Sequence, residues 1–268
     1  MQSNSSEYAL ITGASSGIGR ELARQLAADG MNVVLVARRA DRLEEIRKEI
    51  ESEASVGCRV IAKDLSRPEA PLEVWQDVQI HGITVDWLVN NAGFGTNGFF
   101  ASLPLAREIE EIQLNVAALV ALTRLCLPGM VERRSGHIVN LGSVGSWVPT
   151  PYMATYSATK AFVLSFSEAL AAELAGTGVR VLALCPGATK TEFQQVAGVR
   201  ENVPKFTYMS AKAVVRQAIA AAKSGKRTLV PGWMNKALIG STRLTPRSVL
   251  ARVAGSMFTP KGAPSRRG

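Results

Sequence analysis

Short runs rich in Val, Ile and Leu recur along this chain as far as Val230, separated by longer segments of helical period. Residues 8–12, 32–37, 58–62, 87–90, 137–141, 180–184 and 228–230 read as strands. Most lack the in–out alternation of a strand with one wet face, so they predict strands covered on both sides, as in a parallel sheet. In the intervening segments Ile18, Leu22 and Leu26 recur every four residues, and Gly30 stands where that helix should stop. Leu43, Ile46 and Ile50 mark a second helix. Val214, Ala218, Ile219 and Ala222 mark a late one, with Ser210 as its N-cap and Gly225 as its stop. Strand and helix in regular alternation require right-handed crossovers and give an α/β, doubly wound sheet.

No linker rich in Pro, Gly and Ser divides the chain, and no internal repeat is present. The sequence therefore predicts one catalytic domain over residues 1–232, a basic and partly apolar extension at 233–258, and a disordered tail at 259–268. Residues 188–209 follow a strand end without a clear period and are predicted to form a mobile flap. With 268 residues, 47% of them hydrophobic, there is material for a large core. Residues 1–7 are polar and carry no secretory pattern, and no uncharged apolar run approaches the roughly 18 residues that span a bilayer. Cys58, Cys126 and Cys185 are far apart and odd in number, which predicts buried thiols in a cytoplasmic protein. His81 and His137 are the only histidines, so no metal site is expected.

The glycine-rich turn Gly13-Ala14-Ser15-Ser16-Gly17-Ile18-Gly19 directly follows the first strand and opens the first helix. Such a turn lets backbone approach a pyrophosphate, and the helix end offers unpaired N–H donors and a positive dipole. The end of the second strand selects the cofactor. An Asp or Glu there would bind the ribose 2′-hydroxyl of NAD, but Ala37, Arg38 and Arg39 occupy the place. Guanidinium groups favour a 2′-phosphate, so NADP(H) is expected, with Arg38 the stronger contact.

Tyr156 and Lys160 stand four apart at the start of a helical stretch, which points both side chains into one cleft. A phenol ordinarily titrates near pH 10, and a neighbouring ammonium is expected to lower that value. Ser143, at the end of the fifth strand, is placed to donate a hydrogen bond to a developing alkoxide.

Together with Asn90-Asn91-Ala92-Gly93 after the fourth strand, these motifs resemble the short-chain dehydrogenase/reductase family over about residues 7–232. The resemblance implies a Rossmann-type fold, a seven-stranded parallel sheet of order 3-2-1-4-5-6-7 with helices on both faces. It implies that Asn91, Ala92 and Gly93 support the sheet and the adenosine ribose, and that Asp64 and Leu65 contact adenine. Asn115 matches the family's catalytic asparagine, which positions a water behind Lys160. Pro186, Gly187, Thr189 and Thr191 match the segment that holds the nicotinamide carboxamide, although Thr189 replaces the usual Val or Ile. The family is commonly homo-oligomeric. The expected activity is hydride transfer between NADP(H) and a carbonyl or secondary alcohol, most simply a ketoreductase.

Substrate choice is expected in the loops at 94–103, 144–153 and 188–209, where Phe94, Phe99, Phe100, Trp147, Val148, Met153, Phe193, Phe206 and Tyr208 either favour an apolar or acyl ketone or pack the loops against the sheet. Charge is asymmetric. After Glu201 no acidic residue follows, while thirteen of the 31 Lys and Arg residues do. The extension therefore suits an anionic membrane surface or an acidic acyl carrier, unless it packs against its own or a neighbouring subunit. It lacks the aromatic ladder of a nucleic-acid binder. A regulator that senses NADP(H) without turnover is the alternative function, and the complete Asn–Ser–Tyr–Lys set weighs against it.

Overall fold

The structure is a computed structural model, and it describes residues 7–199 and 208–260. Seven parallel strands form one sheet, β1 (Tyr8–Thr12), β2 (Asn32–Ala37), β3 (Cys58–Ala62), β4 (Val85–Asn90), β5 (Gly136–Leu141), β6 (Val179–Leu184) and β7 (Thr228–Leu229). Their order is β3-β2-β1-β4-β5-β6-β7, as the family resemblance implies. Strand β4 starts two residues before the apolar run. Asp86 interrupts that run, yet its carboxylate accepts the Tyr8 amide at 3.0 Å and keeps the strand paired across a register shift. Strands β5 and β6 begin one residue early, and β7 stops at Leu229.

Helices cover both faces. On one side Ala9, Ile11, Val33 and Leu35 meet α1 (Gly17–Ala28), α2 (Ala40–Glu53) and α8 (Ala211–Lys223) through Leu22, Leu26, Leu43, Val214 and Ile219. On the other, Leu10, Val34, Leu88, Ile138 and Val181 meet α3 (Ala70–Ile80), α5 (Ala118–Glu132) and α6 (Ala154–Glu173). Consecutive residues of β1 and β2 thus enter opposite cores, which is why their sequences show no alternation. Ser210 caps α8 as expected, its hydroxyl accepting the Ala213 amide at 3.2 Å.

Between β4 and β5 the chain runs through α4 (Leu105–Ile112), a π-turn at Gln113–Ala117, and α5. The continuous stretch Leu105–Glu132 is long and apolar enough to cross a membrane by length and composition. Here Ala118, Leu122, Cys126 and Met130 instead pack it against the sheet. Helix α4 reverses the usual polarity: Leu105 is 75% exposed, while Glu108 and Glu111 are 4% and 0% exposed.

After β6, a short helix α7 (Phe193–Val196) and a parallel bridge between Thr189 and Met209 organise the expected flap. Phe206 lies outside the described residues. The extension forms α9 (Trp233–Thr242) and α10 (Arg247–Phe258), and these fold back on the substrate loops. Gly255 is buried beside Pro151, and Asn97 donates to the Phe258 carbonyl at 2.8 Å. Of the expected tail only Thr259 and Pro260 are described, and the Thr259 hydroxyl bonds the Gly255 carbonyl at 2.7 Å.

Candidate active site

The carboxyl ends of β1, β4, β5 and β6 converge on one cleft, the place where open α/β sheets bind ligands. Asn91 fastens two of these ends together, its amide donating to the Thr12 and Gly13 carbonyls at 2.9 and 3.2 Å. The amides of Asn91 and Ala92 both reach the Thr12 hydroxyl, at 3.0 and 2.9 Å. Below them Asn90 bonds Thr123 and Asn140, and Asn140 bonds Ser167, a polar ladder from β4 through β5 to α6.

Gly19 permits the close approach of helix to turn, because a Cβ there would collide with the Gly13 carbonyl oxygen and the Asn91 amide. Neither obstacle is a flexible side-chain end that could swing aside. Gly19→Ala is therefore expected to cost about 1–3 kcal/mol of stability, read as a lower midpoint in thermal unfolding, with weaker nucleotide binding. At the mouth of the turn Ser16 precedes α1 without bonding the helix's first amides, so these donors face the cleft. Ile18 is buried and offers only its backbone. The Ser15 hydroxyl accepts from Arg39 at 3.0 Å, and Arg39 also pairs with Glu192 at 3.0 Å. Arg38 lies 3.8 Å from Asp64 and 3.7 Å from Glu110. Arg39 thus touches the turn directly, and Arg38 lies beside the Asp64 carboxylate. Asp64 accepts from the Ser66 amide and hydroxyl at 3.1 and 2.8 Å, while the Leu65 side chain is buried in the core and leaves only backbone at the surface. A free helix end, side-chain-free glycines and two guanidiniums fit a phosphorylated dinucleotide.

The first turns of α6 carry Tyr156 and Lys160. Lys160 is 4% exposed, its ammonium donates to the Leu141 carbonyl at 2.7 Å, and it sits 5.8 Å from the centre of the Tyr156 ring. Burial pushes its pKa down to about 8. Burial likewise pushes the Tyr156 phenol up to about 12, partly offset by a hydrogen bond from Ser143 and reinforced by Glu111. The sequence expectation of a lowered phenol is thus corrected. Desolvation outweighs the opposing effect of Ser143, and the phenol stays protonated at neutral pH, the state a proton donor requires.

Ser143 is held by a tight turn. Its hydroxyl accepts from the Gly145 amide at 3.1 Å, its amide donates to Ser146, and Ser146 donates to the Lys160 carbonyl at 2.8 Å. Asn115 sits in the π-turn, a backbone irregularity frequent at functional sites. Its side chain is clamped, accepting from the Phe94 amide at 3.1 Å and donating to the Phe94 carbonyl and Thr159 hydroxyl at 2.9 and 3.1 Å. A Cβ on Gly93 would lie 2.8 Å from Asn115 Oδ1 and 3.5 Å from Lys160 Nζ, so a bare backbone here lets all three groups meet.

Thr191 leans over Gly17, and two residues on Phe193 packs against Tyr156 with ring centres 5.2 Å apart. Thr189 bonds the Gly187 carbonyl at 3.1 Å, and the Pro186 carbonyl accepts the Val144 amide at 3.0 Å. Met153, Gly95 and Phe193 surround the phenol. Other loop residues go elsewhere. Phe94 is buried beneath the Arg107 guanidinium at 3.7 Å, and Phe99 stacks edge-on with Tyr152. Trp147 and Val148 line a cavity of about 330 Å³ with Ala154, Ser157, Ala158 and Ala161, positions on α6 that face away from Tyr156 and Lys160.

Sequence reading missed two features. Asn235 of α9 lies against Gly187, which brings the extension to the edge of the cleft. The buried acids Glu108 and Glu111 were also overlooked, because an apolar stripe at Leu105, Ile109 and Ile112 ordinarily marks the inward face.

A family model described as short chain dehydrogenase matches residues 7–203. The very-long-chain 3-oxoacyl-CoA reductase of Rattus norvegicus is 35% identical over 241 residues, covering 88% of this chain and 74% of that protein. The 17-beta-hydroxysteroid dehydrogenase type 3 of Danio rerio is 30% identical, covering 87% and 75%. Among solved structures, a short-chain dehydrogenase from Sphingobium yanoikuyae in complex with NADPH superposes with a TM-score of 0.80 at 34% identity, covering 88% of this chain and 94% of that one.

Proposed function

The chain belongs to the short-chain dehydrogenase family of oxidoreductases, and on that premise we propose that it is an NADP(H)-dependent ketoreductase acting on an apolar or acyl ketone. One observation carries this reading: a half-buried, protonated phenol at Tyr156, one helical turn from Lys160 and flanking Gly145 together with the Ser143 hydroxyl, in the cleft that the glycine turn enters.

Bound NADPH would supply the hydride. Gly13, Ser15, Ser16, Gly17, Ile18 and Gly19 would cradle its phosphates, with Arg38 and Arg39 on the 2′-phosphate. Asp64, Leu65, Asn91, Ala92 and Gly93 would border its adenosine half. Pro186, Gly187, Thr189 and Thr191 would hold the nicotinamide end, and Lys160 the adjoining ribose. Ser143 donates a hydrogen bond to the substrate carbonyl oxygen, and Tyr156 protonates that oxygen as it gains charge. Lys160 restores the phenol's proton, and Asn115 fixes the backbone behind it.

The relatives' names support the substrate class, since a 3-oxoacyl-CoA reductase and a hydroxysteroid dehydrogenase both act on bulky, largely apolar molecules. The exposed stripe of Leu105, Ile109 and Ile112, with Phe162 of α6, supports association with a second copy.

We place the extension on an anionic membrane surface, which would make the enzyme a peripheral membrane protein of the cytoplasm. Trp233 is 78% and Leu244 91% exposed, and Val249, Val253 and Met257 add apolar surface among Lys236, Arg243, Arg247 and Arg252. Sedimentation with vesicles tests this. The chain should pellet with phosphatidylserine vesicles and not with phosphatidylcholine ones, and charge reversal at exposed Lys236, Arg243 and Arg252 should abolish pelleting. Unchanged pelleting in that variant, or binding instead to an acidic acyl carrier protein, would remove the membrane from the proposal.

A further inference from the structure

Helix α4 turns Glu108 and Glu111 inward, where a carboxylate is costly unless it is hydrogen-bonded or neutral. Thr96 Oγ1 lies 2.6 Å from Glu108 Oε1 and 3.0 Å from Glu111 Oε2, and the Thr155 hydroxyl donates to Glu108 Oε2. A hydroxyl carries a single hydrogen, so Thr96 cannot donate to both carboxyls. Both contacts are hydrogen bonds only if one acid is itself protonated. Glu108 receives two hydroxyl donors and is suited to bear the charge. Glu111 Oε1, fully buried, has no hydrogen-bond partner among the described residues. The proton therefore belongs on Glu111, which donates to Thr96, which donates to Glu108.

Glu111 stands one helical turn before Asn115, whose Oδ1 shares the space at Gly93 with the Lys160 ammonium. The charged groups that act on Glu111 are Glu108 of its own helix and Lys160 from α6, and the Tyr156 phenol responds to it in turn. Arg107 of the same helix is turned away, onto the Phe94 ring and Glu110. The loop that brings Thr96 supplies no charge. Burial holds the Glu111 carboxyl at about 7, with Thr96 and Lys160 opposing the rise and Glu108 adding to it.

Resting on the reading above, we propose that Glu111 is a proton store behind Lys160, a positioning residue that lends its carboxyl proton to the lysine after Tyr156 has been drawn upon. Tyr156 gives its O–H proton to the substrate oxygen, and the Lys160 ammonium returns one to the phenolate. The Glu111 carboxyl then turns its O–H from Thr96 toward Lys160 and gives that proton to the lysine amine, while the Thr96 hydroxyl stays on Glu108. Each transfer breaks one bond to hydrogen and forms another, and no electrons move beyond those of the hydride. Solvent water refills Glu111 through Thr155, Glu108 and Thr96, of which Thr155 is the outermost.

Infrared titration of the cofactor-free protein reads the store directly. The wild type should show a protonated-carboxyl band that disappears as pH rises through about 7, the value to which burial holds this group. Glu111→Gln keeps the shape and a donor to Thr96 but cannot release a proton, and the band should be absent. In ketone reduction the wild-type kcat should decline as pH rises through the same range, because the store empties. Glu111→Gln should lose that limb and about tenfold in kcat at the acid end, with KM for NADPH unchanged. A wild type without a carboxyl titrating near neutrality, or a Glu111→Gln enzyme with the wild-type pH profile, would overturn the proposal. Should Glu111→Gln fail to fold, Thr96→Val is expected to shift the band's midpoint, and an unmoved midpoint counts against it. A titrating Glu111 in a chain that reduces no ketone would refute the ketoreductase reading instead, so the two fail separately.

Discussion

Tyr156→Phe should lose about three to four orders of magnitude in kcat for ketone reduction, the upper range for removal of a general acid, while NADPH still binds. The ring's neighbours, Gly95, Met153 and Phe193, contact carbon rather than oxygen and survive the change. The variant forfeits only the hydroxyl and at most one hydrogen bond, toward the neighbouring Ser143. One such bond contributes about 0.5–1.5 kcal/mol to folding, so the melting temperature should move by a few degrees at most. Loss of turnover in a folded, nucleotide-binding protein isolates the proton. A modest drop in kcat, or loss of NADPH affinity in parallel, would assign the phenol to binding instead. Because the folded phenol's pKa is raised, the acid form persists across neutral pH. No basic limb from Tyr156 itself should therefore appear below pH values near 10.

The second large effect concerns the cofactor. Replacing Arg38 and Arg39 together by Ala should raise KM for NADPH about a hundredfold and leave KM for NADH nearly unchanged. Each charge-assisted bond to a phosphate contributes about 1.5–3 kcal/mol, and two of them exceed the 2.7 kcal/mol or so that a hundredfold change requires. In the absence of nucleotide these arginines are already occupied, Arg39 by Ser15 and Glu192 and Arg38 loosely by Asp64 and Glu110. A 2′-phosphate would compete with Glu192 for Arg39, so Glu192→Gln should tighten NADPH binding severalfold. Equal losses for NADPH and NADH in the double variant would show that the arginines merely shape the loop.

Much of the sheet was legible because burial on both faces leaves a direct trace, an unbroken apolar run. That trace fails where one polar residue serves the backbone, as Asp86 does for Tyr8, and the predicted strand then starts late. Tyr156 and Lys160 were legible because helical spacing alone aligns them. Their titration was not, since desolvation depends on what the folded chain packs around a group. Helix α4 was not read from the sequence, and its polarity shows why its acids escaped notice. Its apolar stripe faces outward and its acids inward, so the rule that apolar faces turn to the core would have given the wrong side. Trp147 and Val148 were expected beside the substrate or packed against the sheet; Trp147 packs on Leu164, Ala183 and Cys185, and both line a cavity that Gly145 also borders. Loop direction is set by the Ser143–Ser146 turn and its bond to Lys160, contacts distant from the aromatic side chains themselves.

The most direct test follows a label. NADPH deuterated on the transferable position of the nicotinamide ring, incubated with a long-chain 3-oxoacyl thioester and the wild-type protein, should place deuterium on the new carbinol carbon. The same incubation with Tyr156→Phe, shown by fluorescence to hold the nucleotide, should yield essentially no labelled alcohol. Labelled alcohol formed at comparable rates by both proteins would mean that another group protonates the substrate, and the role given to Tyr156 would be wrong.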